Sequence, residues 1–284
     1  MSRSASPPRA CVIGHPIRHS RSPLIHGHWL SAYGLQGSYD KVDVAPGDLA
    51  AFLRAMPEQG YVGCNVTVPH KEAAFALVDA ATDRARMLGA VNTLWFERGR
   101  LHGDNTDVLG FLSHADASVP HWDREVGCAL VLGAGGAARG VVAGLLERGV
   151  GRVVVANRTS ARAAALAAQF DSRVEPHGWD GLRPLLGAAD LLVNTTSLGM
   201  QGQPPLAVDL SPMKPDAIVD DIVYVPLETD LLRQARQHGL RTIDGLGMLL
   251  HQAAPGFEHW FGRRPEVTPA LRALIEADIL GHSR

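Results

Sequence analysis

Three cysteines among 284 residues, Cys11, Cys64 and Cys128, are too few and too widely spaced for a disulfide framework or a zinc site. Each lies in an apolar, strand-like run and reads as a buried thiol, and no metal is expected. No apolar stretch approaches the ~20 residues of a membrane span. The opening Met1-Ser2-Arg3-Ser4-Ala5-Ser6-Pro7-Pro8-Arg9 is polar and lacks the apolar segment of a secretion signal. The expectation is a cytoplasmic protein with no membrane partner. Neither charge sign dominates: 27 Lys and Arg stand against 29 Asp and Glu, so no basic field points to nucleic acid. A small molecule is the expected partner. There is no internal repeat and no low-complexity tract beyond the short start, and the length suits about two domains with ample core.

The most informative stretch is Gly133-Ala134-Gly135-Gly136-Ala137-Ala138. The apolar run Cys128-Ala129-Leu130-Val131-Leu132 enters it, and a helical pattern from Gly140 to Arg148 leaves it. Strand, glycine turn and helix in that order are the setting of a dinucleotide-binding turn. Gly133 permits the turn, Gly135 lets the backbone approach a pyrophosphate, and Ala138 keeps helix and strand close. The free N–H groups and positive dipole end of the helix then face the phosphates.

A second buried run, Arg152-Val153-Val154-Val155-Ala156, ends at Asn157-Arg158-Thr159, with Arg162 one helical turn further on. An NAD site usually carries Asp or Glu here for the ribose 2′-hydroxyl. No acid is present, and Arg158 is suited to grip a 2′-phosphate through parallel charge-assisted bonds. The expected cofactor is NADP.

From residue 10 to about 105 the chain alternates strand candidates (Ala10–Gly14, Ser38–Val44, Val62–Val68, Val91–Phe96) with helices near Pro23–Tyr33, Pro46–Met56 and His70–Asp79. Three polar clusters exceed what folding needs. In His19-Ser20-Arg21-Ser22-Pro23, Ser22 reads as an N-cap with Pro23 at the first helical position. Capping does not explain Ser20, and two hydroxyls beside a helix start suit a carboxylate. In Asn65-Val66-Thr67-Val68-Pro69-His70-Lys71, Asn65 and Thr67 share a strand face and Lys71 follows at the strand's carboxyl end, where α/β sheets bind ligands. In Asn92-Thr93 and Gly103-Asp104-Asn105-Thr106-Asp107, a capping loop accounts for any one of the polar residues but does not need them all.

These stretches, with Asn157-Arg158-Thr159, Asn194-Thr195-Thr196-Ser197-Leu198-Gly199-Met200 and Asp244-Gly245-Leu246-Gly247-Met248-Leu249, resemble the motif series of the shikimate dehydrogenases from about residue 11 to residue 265. The resemblance implies an α/β fold of two domains. A substrate-binding catalytic domain (1–106) is followed by an inserted Rossmann-like NADP-binding domain (107–245), and C-terminal helices (246–284) return to the first. It implies that Ser20 and Ser22 bind a substrate carboxylate, that Thr67, Asn92, Asp107 and Gln252 meet ring hydroxyls, and that Tyr224 is on the substrate side. Lys71 is the implied acid/base group, paired with Asp107. The implied cofactor contacts are Gly133, Ala134, Gly135, Gly136, Ala137, Asn157, Arg158, Thr159, Arg162, Thr195, Ile222 and Gly245.

The implied reaction is NADP-dependent interconversion of 3-dehydroshikimate and shikimate, a step of aromatic amino-acid biosynthesis, by a monomer or homodimer. Two positions depart from the pattern: Val108 replaces a glycine frequent after Asp107, and Asp230 stands where proline is frequent after Thr229. Dual specificity for quinate, a non-catalytic NADP-sensing module and a methylene-tetrahydrofolate-type dehydrogenase are the alternatives. Ser22 and the missing acid near Asn157 disfavour the first, Lys71 with Asp107 the second, and the serine pair the third.

Overall fold

The computed structural model describes residues 6–282; Met1–Ala5, the greater part of the polar opening, lie outside the described residues. Contacts divide the chain into two compact units, one reaching to Thr106 and resuming over Gln252–Asp278, the other holding Asp107–His251 and the chain from Ile279.

The first unit is built on a mixed sheet of six strands. Their spatial order is Ser38–Asp43, Arg9–Gly14, Tyr61–Val66, Thr93–Glu97, Arg100–Asp104, Ala80–Ala81. Arg9–Gly14 is a nearly unbroken apolar run because it is parallel to a neighbour on each side and covered on both faces. Ile13, Met56, Cys64, Val66 and Leu94 fill one side; Ala10, Val12, Ile17, Tyr39 and Trp260 fill the other. Thr93–Glu97 runs antiparallel to Tyr61–Val66 and forms a hairpin with Arg100–Asp104. Its two-residue loop is Arg98-Gly99, both at positive φ (51° and 75°), as the twist of a tight hairpin demands.

The second unit holds a six-stranded, all-parallel sheet. Its spatial order is Arg241–Asp244, Ile218–Asp221, Leu191–Asn194, Cys128–Leu132, Arg152–Asn157, Val174–Gly178. Counted along the chain this is the doubly wound order 3-2-1-4-5-6 reversed, and the strand order switches direction between Cys128–Leu132 and Leu191–Asn194. Leu130, Leu132, Leu192 and Val219 project into one core with Leu231 and Leu232. The Asp107–Ser118 helix packs Val108 and Leu112 against Gly144 of the Gly136–Glu147 helix, which gives the departure at Val108 a packing role.

Several expected elements are corrected. The helix expected over His70–Asp79 covers only Lys71–Phe75, because Asp79 is held by the hairpin: its N–H donates to the Leu101 carbonyl at 2.8 Å and its carboxylate accepts from Leu101 N at 2.7 Å. A six-residue helix, Asp83–Leu88, is absent from the sequence expectations; Thr82 caps its start and Gly89 its end, but it is too short to show a helical period. The nucleotide-side helix begins at Gly136, not Gly140.

Gly63 marks the tightest contact of the first unit. A Cβ there would stand 2.1 Å from Trp260 Nε1 and 2.2 Å from the Leu94 carbonyl oxygen, the partners of a buried hydrogen bond of 2.9 Å. Gly63→Ala therefore has to break that bond as well as overpack the core. The expected destabilisation is on the order of 2–4 kcal/mol, read in urea unfolding followed by tryptophan fluorescence.

Candidate active site

The loop after Arg9–Gly14 carries the serine pair. Ser20 Oγ donates to Ser22 Oγ at 3.3 Å and accepts from Ser22 N at 3.3 Å, so the two hydroxyls are adjacent. Ser22 is not the N-cap expected from the sequence. Arg21 occupies that place with no side-chain cap, leaving Ser22 and Pro23 as the first two helical residues. The Ser22 hydroxyl, buried at the start of the Ser22–Ala32 helix, is thus not spent on capping.

Behind the serines runs a buried polar chain. Tyr39 OH donates to Asn65 Oδ1 at 2.5 Å, and Asn65 Nδ2 donates to the Asn92 carbonyl and to Thr93 Oγ1, each at 3.1 Å. Asn92 Oδ1 accepts from Thr106 N at 2.7 Å and from the Thr93 hydroxyl at 3.0 Å. Asn92 Nδ2 reaches Gln252 Oε1 at 3.4 Å, and Thr106 Oγ1 donates to the Gln252 carbonyl at 2.8 Å. Asn92 and Gln252, 160 residues apart in sequence, therefore meet in one cluster. Sequence reasoning does not single out Tyr39 or Thr106 as binding residues. The signal for Tyr39 is a lone aromatic in the edge strand Ser38–Asp43, and for Thr106 the surplus of polar residues in its loop.

Structure also separates that surplus. Asp104 accepts from Thr82 Oγ1 at 2.5 Å, Arg84 at 3.1 Å and Asn105 N at 2.7 Å, while Asn105 Nδ2 donates to the Ala90 carbonyl at 3.2 Å. Those two residues hold the loop. Thr67 lies just past the end of Tyr61–Val66, half-buried, its N–H still bonded to the Ile13 carbonyl at 2.9 Å. Lys71 opens the helix Lys71–Phe75, and its carbonyl accepts from Val91 N at 3.0 Å, which ties its backbone to the Asn92 segment. Asp107 is the first residue of the Asp107–Ser118 helix and follows directly on Thr106.

In the second unit the expected cofactor residues fall along one edge of the parallel sheet. Gly133 has φ +106°, and a Cβ there would stand 2.7 Å from Thr195 Oγ1, so both its conformation and its space require glycine. Thr195 itself bonds the Leu132 carbonyl through N (2.9 Å) and Oγ1 (2.6 Å), joining the ends of the two strands at the switch point. Gly135, Gly136 and Ala137 are exposed, and a Cβ on either glycine would meet only open space. The helix opened by Gly136 points its free N–H groups outward there.

Asn157 ends the next strand and donates through Nδ2 to the Thr159 carbonyl at 2.9 Å, which folds the Asn157-Arg158-Thr159 turn. Arg158 and Arg162 are exposed, and no carboxylate among the described residues pairs with either. Ile222, whose N–H donates to the Asn194 carbonyl at 3.2 Å, and Gly245, which opens the Gly245–Phe261 helix, stand at the ends of further strands of the same sheet. Tyr224 is half-buried two residues past Ile222. A glycine cradle, an outward helix start and two unpaired guanidinium groups fit a dinucleotide that carries a 2′-phosphate.

Comparison with known proteins places these features in a family. A model described as the shikimate dehydrogenase substrate binding domain matches residues 12–94. One described as shikimate / quinate 5-dehydrogenase matches residues 117–201, and one described as the shikimate 5'-dehydrogenase C-terminal domain matches residues 245–275. Shikimate dehydrogenase (NADP(+)) of Methylobacterium radiotolerans is 61% identical over 281 residues, covering 98% of this chain and 100% of the relative. The chain belongs to the shikimate dehydrogenase family.

Two solved structures extend the comparison. Shikimate 5-dehydrogenase of Thermus thermophilus, in complex with NADP(H) and shikimate, is 37% identical with a TM-score of 0.83, over 96% of this chain and 99% of that one. Quinate dehydrogenase of Corynebacterium glutamicum, in complex with NAD, is 33% identical with a TM-score of 0.89, over 95% and 99%. Members of the shikimate dehydrogenase family thus differ in dinucleotide and in polyol, and the strand-end residues of this chain bear on the first choice. Arg158→Ala should lower the ratio of kcat/KM with NADP to that with NAD by roughly ten- to a hundredfold, the worth of a charge-assisted bond of ~1.5–3 kcal/mol. Initial rates with each dinucleotide measure it, and an unchanged ratio would remove Arg158 from the 2′-phosphate.

Proposed function

We propose that this chain is an NADP-dependent shikimate dehydrogenase that interconverts 3-dehydroshikimate and shikimate in aromatic amino-acid biosynthesis. The observation that carries the reading is the junction at Asn92. One buried cluster gathers two amide side chains and a threonine hydroxyl, an arrangement of alternating donors and acceptors suited to a polyhydroxylated ring. Ser20 and Ser22 supply the carboxylate subsite, and Thr67 and Gln252 complete the polar lining. Tyr224 is assigned to the substrate side by the family motif.

Gly133, Ala134, Gly135, Gly136 and Ala137 would hold the pyrophosphate, Asn157, Arg158, Thr159 and Arg162 the adenosine end, and Thr195, Ile222 and Gly245 the rest of the dinucleotide. When bound, the reduced nicotinamide supplies the hydride that reaches the ketone carbon. This chain's task is to position the ketone and deliver a proton to its oxygen. Lys71, as ammonium, is the proposed donor, and Asp107 the carboxylate that orients it. The hydroxyl-binding residues fix the ring so that only one carbonyl face is presented. In the reverse direction the Lys71 amine accepts the proton from the alcohol.

The proposed domain roles follow: residues 1–106 with the chain's C-terminal helices bind substrate, and the intervening segment binds NADP. No helix among the described residues is long and apolar enough to cross a membrane. Three unbridged cysteines suit a reducing compartment, and we assign the enzyme to the cytoplasm as a monomer or homodimer.

NADPH formation from shikimate and NADP tests the reading, with quinate and NAD run alongside. Strong turnover with shikimate and NADP is expected, and comparable rates with quinate would replace the reading by dual specificity. Lys71→Ala should lower kcat by about a hundredfold or more with a much smaller change in KM, because proton transfer is worth most in the transition state. A near-native kcat for Lys71→Ala would move the proton transfer elsewhere.

A further inference from the structure

One buried carboxyl of the second unit, served by three hydrogen-bond donors, has no role in the reading above. Asp221 ends the strand Ile218–Asp221 and is 1% exposed. Its Oδ1 accepts from Asn194 Nδ2 at 2.8 Å and from Val223 N at 3.1 Å, and its Oδ2 accepts from Thr229 Oγ1 at 2.6 Å. Asn194 and Thr229 are themselves 0% and 1% exposed. Burial pushes the Asp221 carboxyl above its ordinary range, and the donors from Thr229, Val223 and Asn194 offset that only in part. A carboxylate so placed is costly unless the three donors stay in position.

Each donor belongs to a loop with a proposed binding role. Asn194 Oδ1 also accepts from Thr196 N at 3.0 Å and Thr196 Oγ1 at 2.8 Å, and Asn194 Nδ2 donates to the Leu198 carbonyl at 3.2 Å. Leu198 N closes the loop by donating to Thr196 Oγ1 at 3.1 Å. That fixes the segment beginning with Thr195. Val223 lies between Ile222 and Tyr224. Thr229 caps the helix Asp230–Gln237, accepting from Leu232 N while donating to Asp221, so the far end of the Tyr224 loop is pinned to the same carboxylate. The two loops are further joined by Gln201 N donating to the Val225 carbonyl at 2.8 Å.

We propose that Asp221, through Asn194 and Thr229, is the positioning residue that holds the Thr195 loop and the Ile222–Tyr224 loop in register for hydride transfer. The proposal rests on the dehydrogenase reading. Its mechanism is geometric: none of the three side chains is assigned to substrate or cofactor, but a shift of either loop by about 1 Å would displace the groups that align the reacting carbons, at a cost near a hundredfold in rate.

Thr229→Val removes the hydroxyl at nearly constant shape and strands Asp221 Oδ2, whereas Thr229→Ser keeps the donor. Asp221→Asn is the companion variant, exchanging one acceptor oxygen for a donor. Thr229→Val and Asp221→Asn should each lower kcat by roughly ten- to a hundredfold. They should also raise the primary deuterium isotope effect on kcat with shikimate labelled at the carbon that gives up hydride, because the chemical step becomes slower than product release. Thr229→Ser should keep the native kcat and isotope effect. Leu186→Ala, a core truncation in the same unit, is the control for lost stability alone, since a smaller folded fraction leaves the isotope effect unchanged. A native-like Thr229→Val, or a fall in kcat at the native isotope effect, would overturn the proposal. Native protein that binds NADP but does not oxidise shikimate would overturn the dehydrogenase reading and, with it, this role.

Discussion

A parallel sheet brings the carboxyl ends of all its strands to one edge, and most of what the second unit offers to a ligand depends on that constraint. Leu132, Asn157, Asn194, Asp221 and Asp244 are the last residues of five neighbouring strands. Residues far apart in sequence, Gly133, Thr195, Ile222 and Gly245, follow those ends and so lie along one rim. The backbone has to leave each strand sharply there, and its polar groups still need partners. The Thr195 contacts to the Leu132 carbonyl and the Asn194 contacts to the Thr196–Leu198 turn meet that need with short side chains. One set of hydrogen bonds therefore ends the strands and shapes the rim.

The first unit solves a different problem with similar means. Its sheet is mixed, and the antiparallel pairing of Thr93–Glu97 brings the Asn92 segment alongside Asn65. Asn92 then has two donors on its oxygen and Gln252 on its nitrogen, so its amide orientation is set. Behind it, Tyr39 stacks on the fully buried His26 with ring centroids 4.0 Å apart. Burial pushes His26 down to about 3, so the ring stays neutral at physiological pH and serves as an aromatic wall. The polar side chains of this cluster thus stand on an apolar backing that keeps them from reorienting.

How much of this is legible depends on the range of the interactions. The glycine turn between an apolar run and a helix, the acid-free end of the next strand and the serine pair are local patterns, and the residues stand at strand ends and a helix start in the structure. Asp104 and Asp107 look equivalent in sequence, yet Asp104 is consumed by Thr82 and Arg84, at least 20 residues upstream in chain order. Tyr39 and Gln252 gain their partners only through tertiary packing, and no spacing announces that. The hairpin at Arg98-Gly99 escapes a sequence reading for a local reason, because arginine replaces the asparagine or aspartate that usually marks such a turn. The helix at Ser22 reads one residue late because serine is so strong a capping signal, whereas Arg21 takes the cap position.

That last point bears on how a site can be told from a fold. A serine at a helix start lowers the free energy of the helix by about 1 kcal/mol when it caps, and mutation to another residue forfeits that gain. Here Arg21 stands at the cap position without a side-chain capping bond, and the two serine hydroxyls bond weakly to each other at 3.3 Å. The fold gains little from either hydroxyl in that arrangement. Asp221 presents the opposite case, a buried carboxyl held by short bonds that an apolar side chain would have made unnecessary. Groups whose geometry costs stability or leaves it ungained are where selection for chemistry shows through selection for folding. On the reading proposed above, the serine pair and the Asp221 network are such places, and they belong to different units of the chain.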